Sequence, residues 1–180
     1  MQDHDFGRIG RRLIAENLVG GNFGNMSRRL ENGFLITRSG SYLDEPKDLI
    51  PVYSGEAVPE EASSEYRVHQ AVYERTAHMA VLHAHPPCAV AASLLMDLVV
   101  PIDSEGRMLA PEIEIIDGAP GTMELAENIA SALNKRNLVI ARGHGTFAAG
   151  KTLDEAYLYT SLAEHAALVL FYTGQFTKMR

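Results

Sequence analysis

Apolar positions recur every three or four residues at the start of the chain, then every second one. Phe6, Ile9 and Leu13 fall on one helical face, which predicts a helix over residues 5–18 that stops at Gly20-Gly21. Residues 22–30 and 34–37 read as strands separated by Glu31-Asn32-Gly33, where Asn32-Gly33 is a hairpin signal, and a further strand is expected over 49–52. Ser63-Ser64-Glu65 opens a predicted helix to about residue 75, with Val68, Ala71 and Val72 as its buried stripe. The apolar run 79–85 predicts a strand, and Pro86-Pro87 ends it and starts a helix to about residue 96. A strand over 112–116 and a helix over 122–133 follow, the latter with Leu125, Ile129 and Leu133 in register. Residues 138–141 form an apolar strand, Arg142-Gly143-His144-Gly145 a turn, and 146–149 a second extended piece. Thr152 and Glu155 make a capping box for the last helix, whose face is Leu153, Ala156, Thr160, Ala163, Ala167 and Leu170. This order predicts a layered α/β domain with a central, mostly antiparallel sheet covered by helices. No linker, repeat or low-complexity tract interrupts it, so residues 1–180 read as a single domain.

Composition narrows the partners. A chain of 180 residues with 46% apolar positions can bury a sizeable core without staples. Its net charge of −7 argues against a nucleic-acid partner, which would want a basic face. No apolar run approaches the ~20 residues that span a bilayer, so no membrane role is expected. The lone Cys88 cannot form an internal disulfide, and the first residues lack the basic-then-apolar character of a secretion signal, so a cytoplasmic location is expected. Overall acidity leaves room for an anionic small substrate, because local backbone N–H groups, hydroxyls and a metal can outweigh a distant field.

The candidate chemistry centres on His83 and His85. Alternate strand residues point to one face about 6.5–7 Å apart, so both imidazoles can converge on one ion. A zinc-type site needs a further donor and, for chemistry, an open position. His144 is the best third donor, since Gly143 and Gly145 let the backbone turn sharply around it. The plainer alternative is a pair of hydrogen-bonded histidines at a sheet margin. His4, His69, His78 and His165 lie in helical or terminal contexts and are assigned no role. Cupin-type barrels want a glutamate where this chain has Cys88 or Ala89, and barrel hydrolases with a first-strand histidine pair need a much longer chain after it. Glu65 reads either as a carboxylate in a first helical turn or, beside a metal, as a ligand or general acid/base. Ser63 and Ser64 bring hydroxyls to the same helix start, which suits phosphate, and Gly24-Asn25 and Ser39-Gly40 put small hydrogen-bonding residues in turns.

Taken in order, Gly24-Asn25-Met26-Ser27, Leu35 to Gly40, Ser63-Ser64-Glu65, His83-Ala84-His85 and Gly143-His144-Gly145 resemble the class II aldolase and adducin head-domain family. The resemblance runs from about Gly7 to Leu170 and is nearest to the family's sugar-phosphate aldolases. It implies a Zn²⁺ ion on His83, His85 and His144, Glu65 as catalytic acid/base, and phosphate contacts from Gly24, Asn25, Ser39, Gly40, Ser63 and Ser64. The implied reaction cleaves a short ketose 1-phosphate to dihydroxyacetone phosphate and a small aldehyde through a metal-stabilised enediolate. The implied assembly is a homotetramer with active sites near subunit interfaces. The family also holds sugar-phosphate epimerases, a dehydratase and non-catalytic adducin-like interaction modules, which stand as alternatives. The chain departs from the pattern at Asn22, where threonine or serine is usual, and at Gly143, where asparagine or histidine is common. Residues 99–107 lack the tyrosine that the aldolases use to protonate the aldehyde end; Glu105 and Tyr172 are the candidates to replace it. Arg142 reads equally as an anion anchor and as an ion-paired arginine at a strand end.

Overall fold

The computed structural model describes residues 4–178. The chain runs α1 (His4–Ala15), β1 (Asn25–Leu30), β2 (Gly33–Thr37), β3 (Leu49–Tyr53), α2 (Tyr66–Arg75), β4 (Ala80–Ala84) and α3 (Pro87–Ser93). It continues β5 (Leu98–Val99), α4 (Ser104–Leu109), β6 (Ile113–Ile116), α5 (Met123–Leu133), β7 (Leu138–Ala141), β8 (Gly145–Gly150) and α6 (Leu153–Lys178). The strands make one 8-stranded sheet in the order β3-β2-β1-β4-β8-β7-β6-β5. Neighbouring strands are antiparallel except β6 and β7, so the expected mostly antiparallel sheet is what forms.

Strand alternation divides the core between two faces. Ala80, Leu82 and Ala84 of β4 pack with Phe6, Ile9 and Leu13 of α1 and with Ala156, Ala163 and Ala167 of α6. Val81 turns to the other face, among Val68 and Val72 of α2 and Leu125 and Ile129 of α5. Covering both faces is why every residue of β4 is buried and Ala80 to Leu82 run apolar up to His83, and each fully buried Leu, Ile or Phe contributes roughly 1.5–3 kcal/mol. The alanine face of α6 lets that helix lie close on the sheet. A buried carboxylate, Glu164 of α6, accepts the N–H groups of Cys88 at 2.9 Å and Ala89 at 2.9 Å, capping α3 immediately after the histidine strand.

Several boundaries differ from the expected ones for physical reasons. α1 stops at Ala15 because Asn17 adopts a left-handed φ of 56° and the Leu18 N–H closes on the Leu13 carbonyl at 2.8 Å, a Schellman-type end. The hairpin turn is Glu31-Asn32, with Leu30 paired to Gly33. Gly33 belongs to the strand at φ 128°, where a Cβ would sit 2.0 Å from the Val52 carbonyl. Ser63 and Ser64 form the entry to α2 rather than its first turn, since the Ser63 Oγ accepts the Glu65 N–H. β5 and α4 were not foreseen: two strand residues and one short helix are too brief for a period to show, although Asp103 caps α4 by accepting the Gly106 N–H at 2.8 Å.

Candidate active site

Segments far apart in sequence meet at the end of β4. His83 and His85 leave that strand on one face, and the turn between β7 and β8 brings His144 to them. Ring centroids lie 4.7 Å apart for His83 and His85, 4.6 Å for His83 and His144, and 5.3 Å for His85 and His144. One nitrogen from each ring falls within 4.8 Å of the others. His83 stacks on Phe147 at 4.1 Å and donates its Nδ1–H to the Thr146 carbonyl at 2.9 Å, which leaves Nε2 bare. His85 Nε2 faces that atom at 2.9 Å, so only one of the two can carry a hydrogen. His144 Nδ1 is buried with no hydrogen-bond partner among the described residues. Three nitrogens around one ion at ~2.0–2.1 Å would stand roughly 3.3 Å apart, so small adjustments, which include opening the 2.9 Å His83–His85 pair, fit this cluster to a transition-metal ion.

Protonation is biased the same way. Burial holds His83 well below its ordinary pKa, with the neighbouring His85 and His144 adding to it. Burial and then His144 lower His85 to about 4, and burial lowers His144. The neutral imidazole is the form that ligates a metal.

Glu65 stands at the start of α2, buried, with Oε2 unpartnered among the described residues. Burial raises its pKa, opposed by a hydrogen bond from the Gly121 backbone N–H and by the charge of Arg67. Gly24 has φ 77°, and a Cβ there would lie 2.8 Å from the His83 carbonyl; only glycine lets the chain enter β1 this close to β4. Asn25 consequently pairs with His83 across the strands. The Ser39 N–H donates to the Glu61 carbonyl at 2.8 Å and Arg38 bridges to Ala62, which holds the Ser39-Gly40 turn against Ser63. A cavity of about 200 Å³ is lined by Gly24, Asn25, Ser39, Gly40, Ser63, Ser64, Glu65, His83, His85 and His144, so every candidate site residue is brought to one place. Larger clefts open elsewhere, as along Glu114, Asp117 and Lys135, but this cavity holds the converging donors.

The same wall carries residues that the sequence reading passed over. Arg38 is the cation among the lining residues, its guanidinium only loosely paired to Asp48 at 3.8 Å. Its signal was its place directly before Ser39-Gly40. Phe23 lines the mouth and stacks on His85 at 5.5 Å. His69, assigned no role above, is fully buried behind Asn25, with Nε2 2.6 Å from Asn25 Oδ1 and Nδ1 2.6 Å from Ser27 Oγ.

The sequence model of the Class II Aldolase and Adducin N-terminal domain family matches residues 5–171. The chain belongs to that family. An L-fuculose phosphate aldolase of Methanococcus vannielii is 30% identical over 168 residues, covering 91% of this chain and 92% of the relative. A 5-methylthioribulose-1-phosphate/5-deoxyribulose-1-phosphate aldolase of Rhodospirillum rubrum is 34% identical over 156 residues, covering 81% of this chain and 69% of that one. The crystal structure of L-fuculose-1-phosphate aldolase from Thermus thermophilus superposes with a TM-score of 0.92 at 36% identity, covering 96% of this chain and 94% of that one.

Where this class II aldolase-family chain departs from the expected pattern, the structure sharpens the picture. Arg142 is a structural clamp: it pairs with Asp117 at 2.6 Å and Asp97 at 2.8 Å and donates to the carbonyls of Ser93 and Met96, so it is the ion-paired alternative that holds. Glu105 lies exposed on α4, held by the Ser104 hydroxyl at 2.6 Å, and Tyr172 lies exposed on α6. Neither lines the cavity, and among the described residues no tyrosine does. Asn22 lines it beside Gly40.

Proposed function

We propose that this protein is a zinc-dependent aldolase that cleaves a short ketose 1-phosphate to dihydroxyacetone phosphate and a small aldehyde. The observation that carries the reading is the three-imidazole cluster sharing one small cavity with a buried carboxyl, one of whose oxygens has no partner among the described residues, and a rim of hydroxyls and amides. His83, His85 and His144 would hold the ion, which supplies Lewis-acid withdrawal of charge from the ketose carbonyl when bound. Asn25, Ser39, Ser63 and Ser64 offer neutral donors for the phosphate, Gly24 and Gly40 keep the backbone close to it, and Arg38 adds a positive charge. Fixing the phosphate orients the C3–C4 bond, an effect that can supply several kcal/mol. In cleavage solvent takes the proton from the C4 hydroxyl, the C3–C4 electron pair moves toward C2 as the aldehyde leaves, and a proton delivered to C3 completes dihydroxyacetone phosphate, so one proton is lost and one gained. Glu65 is the proton carrier assigned to C3, because burial favours its protonated form and leaves Oε2 free to donate. The relatives' named substrates, sugar phosphates that differ away from the phosphate, support this class of substrate.

A second reading, epimerisation or dehydration of a sugar phosphate in the same site, is favoured by the lack of a lining tyrosine among the described residues. A non-catalytic adducin-like role is disfavoured, since a scaffold has no use for converging bare donors. Exposed apolar side chains at Leu94, Leu95, Leu98, Val100 and Met108 support self-association, and the homotetramer implied by the family resemblance is the assembly proposed. The test is to measure bound metal per subunit and to incubate the protein with ketose 1-phosphates. Zinc near one equivalent and release of dihydroxyacetone phosphate are expected. Metal with a changed but uncleaved sugar would select the second reading, and protein with neither metal nor turnover would overturn both.

A further inference from the structure

The candidate site rests on a polar layer that helix packing alone does not call for. Asn25 and Ser27, two apart on β1, face His69 and Tyr73, four apart on α2. Two residues of strand advance about 6.5–7 Å and four residues of helix about 6 Å, so the two pairs mesh. Ser27 Oγ lies 2.6 Å from His69 Nδ1 and 2.7 Å from the Tyr73 hydroxyl, and His69 Nε2 lies 2.6 Å from Asn25 Oδ1. His69 and Ser27 are both fully buried. Apolar side chains of similar shape would pack a helix on a sheet without the need to satisfy every donor and acceptor. A complete buried chain that ends at a cavity-lining amide therefore points to a role in the site.

The direction of that chain follows from its end. A carboxamide oxygen only accepts, so His69 Nε2 carries the hydrogen and Nδ1 is bare. Nδ1 then accepts the Ser27 hydroxyl, and Ser27 Oγ accepts the Tyr73 hydroxyl. Each group finds its partner in one sense only. With Asn25 Oδ1 turned inward, the amide NH₂ is the end left for the cavity.

We propose that His69 is a positioning residue: it locks the Asn25 carboxamide so that this amide turns its two N–H donors, and not its oxygen, to the substrate phosphate. This rests on the phosphate-cradle reading above. A free carboxamide would turn its oxygen toward the anion part of the time, and a locked one does not. His69 itself touches neither substrate nor metal.

Two measurements on the full-length zinc-loaded protein test it. Ring ¹⁵N NMR of the wild type should show His69 protonated at Nε2 with Nδ1 bare; the opposite tautomer overturns the proposal, since Asn25 would then show its oxygen to the cavity. Binding of inorganic phosphate should weaken about tenfold in His69→Leu and return to within about threefold in His69→Gln, which restores an N–H at the Nε2 position. The loss in His69→Leu should appear in KM and leave kcat within about threefold. In an Asn25→Ala background, His69→Leu should cost nothing more, whereas additive losses would make His69 merely structural and sink the proposal. If inorganic phosphate fails to bind the wild type while the Nε2–H tautomer is present, the cradle reading fails and the locked amide stands. A reversed tautomer removes the lock whether or not phosphate binds.

Discussion

A buried carboxyl beside three imidazoles can hold a metal or move a proton, and one substitution separates the two at Glu65. Glu65→Gln keeps the shape and removes the proton, so kcat is expected to fall about 10²–10⁴-fold with zinc content unchanged by atomic absorption. A matching loss of zinc would make Glu65 a ligand. Arg38 is expected to contribute charge rather than chemistry. Arg38→Ala should raise KM for the phosphorylated substrate about tenfold with kcat within about threefold, the scale of one partly exposed charge-assisted contact; an unchanged KM would remove Arg38 from the cradle. His69 links the site to acid stability. Unfolded, it titrates near 6.5; folded, burial lowers it to about 3, so between these values the unfolded chain binds a proton that the folded chain does not. Its contribution is complete above about pH 6.5 and is lost as pH falls toward 3, by at most about 1.4 kcal/mol per pH unit. Urea midpoints should therefore drop from pH 7 to pH 5, and less steeply in His69→Gln; equal slopes would show that His69 does not stay neutral. Residues with a local signature were legible in the sequence: His83 and His85 by alternation, His144 by its flanking glycines, Glu65 by the serines before it. Arg38 and His69 were not, because what they do depends on partners brought from other segments. A histidine inside a helix period does not disclose that its two nitrogens meet two residues of a strand.

Elements carry the donors, so an element's anchoring should show in metal affinity. His144 rides on the short turn from β7 to β8, where Gly143 adopts φ 66° and a Cβ would stand 3.0 Å from Leu94. Arg142 ties that turn to the end of α3 and to Asp97 and Asp117. Arg142→Met keeps the aliphatic stem and breaks every tie. It should weaken zinc about tenfold or more in chelator competition, the range seen when supports behind a metal ligand are removed, with far-ultraviolet circular dichroism unchanged. Wild-type affinity in this variant would show that the turn is held by its strands alone. The long elements were legible because α1, α2, α5 and α6 each repeat an apolar stripe over several turns, and the stripes predicted for them are buried, save Leu170 at the far end of α6, which is half-buried. The order of the sheet was not. That β4 lies between β1 and β8, making neighbours of His83, Asn25 and the His144 turn, comes from pairings distant in sequence that periodicity does not encode.

On the scale of the whole molecule, the question is what covers the sheet's β5 end. β5 closes the strand order, so one of its edges has no strand partner among the described residues. Around it Leu95 is 85% exposed, Met108 74% and Leu94 62%, and Leu94 is also the side chain that closes on Gly143 beside His144. An apolar margin of this kind, next to an unpaired edge, is costly to leave in water, and a second copy offers the same surface in return. Opposing that, each copy carries a net charge of −7, and like charges repel most at low salt. If apolar burial dominates, the oligomer should persist, or tighten, as salt is raised from about 0.05 to about 0.5 M, because screening removes the repulsion and leaves the burial. Sedimentation velocity across that range is the measurement, with a tetramer the expected species. Leu95→Lys with Met108→Lys should shift the population to smaller species, with no change in circular dichroism because neither side chain is in the core. Since the margin begins at the turn bearing His144, the dissociated variant should also lose turnover while keeping its zinc, the outcome expected if a neighbouring copy completes the open side of the cavity. A wild type that sediments as a monomer at every salt and concentration would remove the tetramer, and full activity in a dissociated variant would confine the chemistry to one chain.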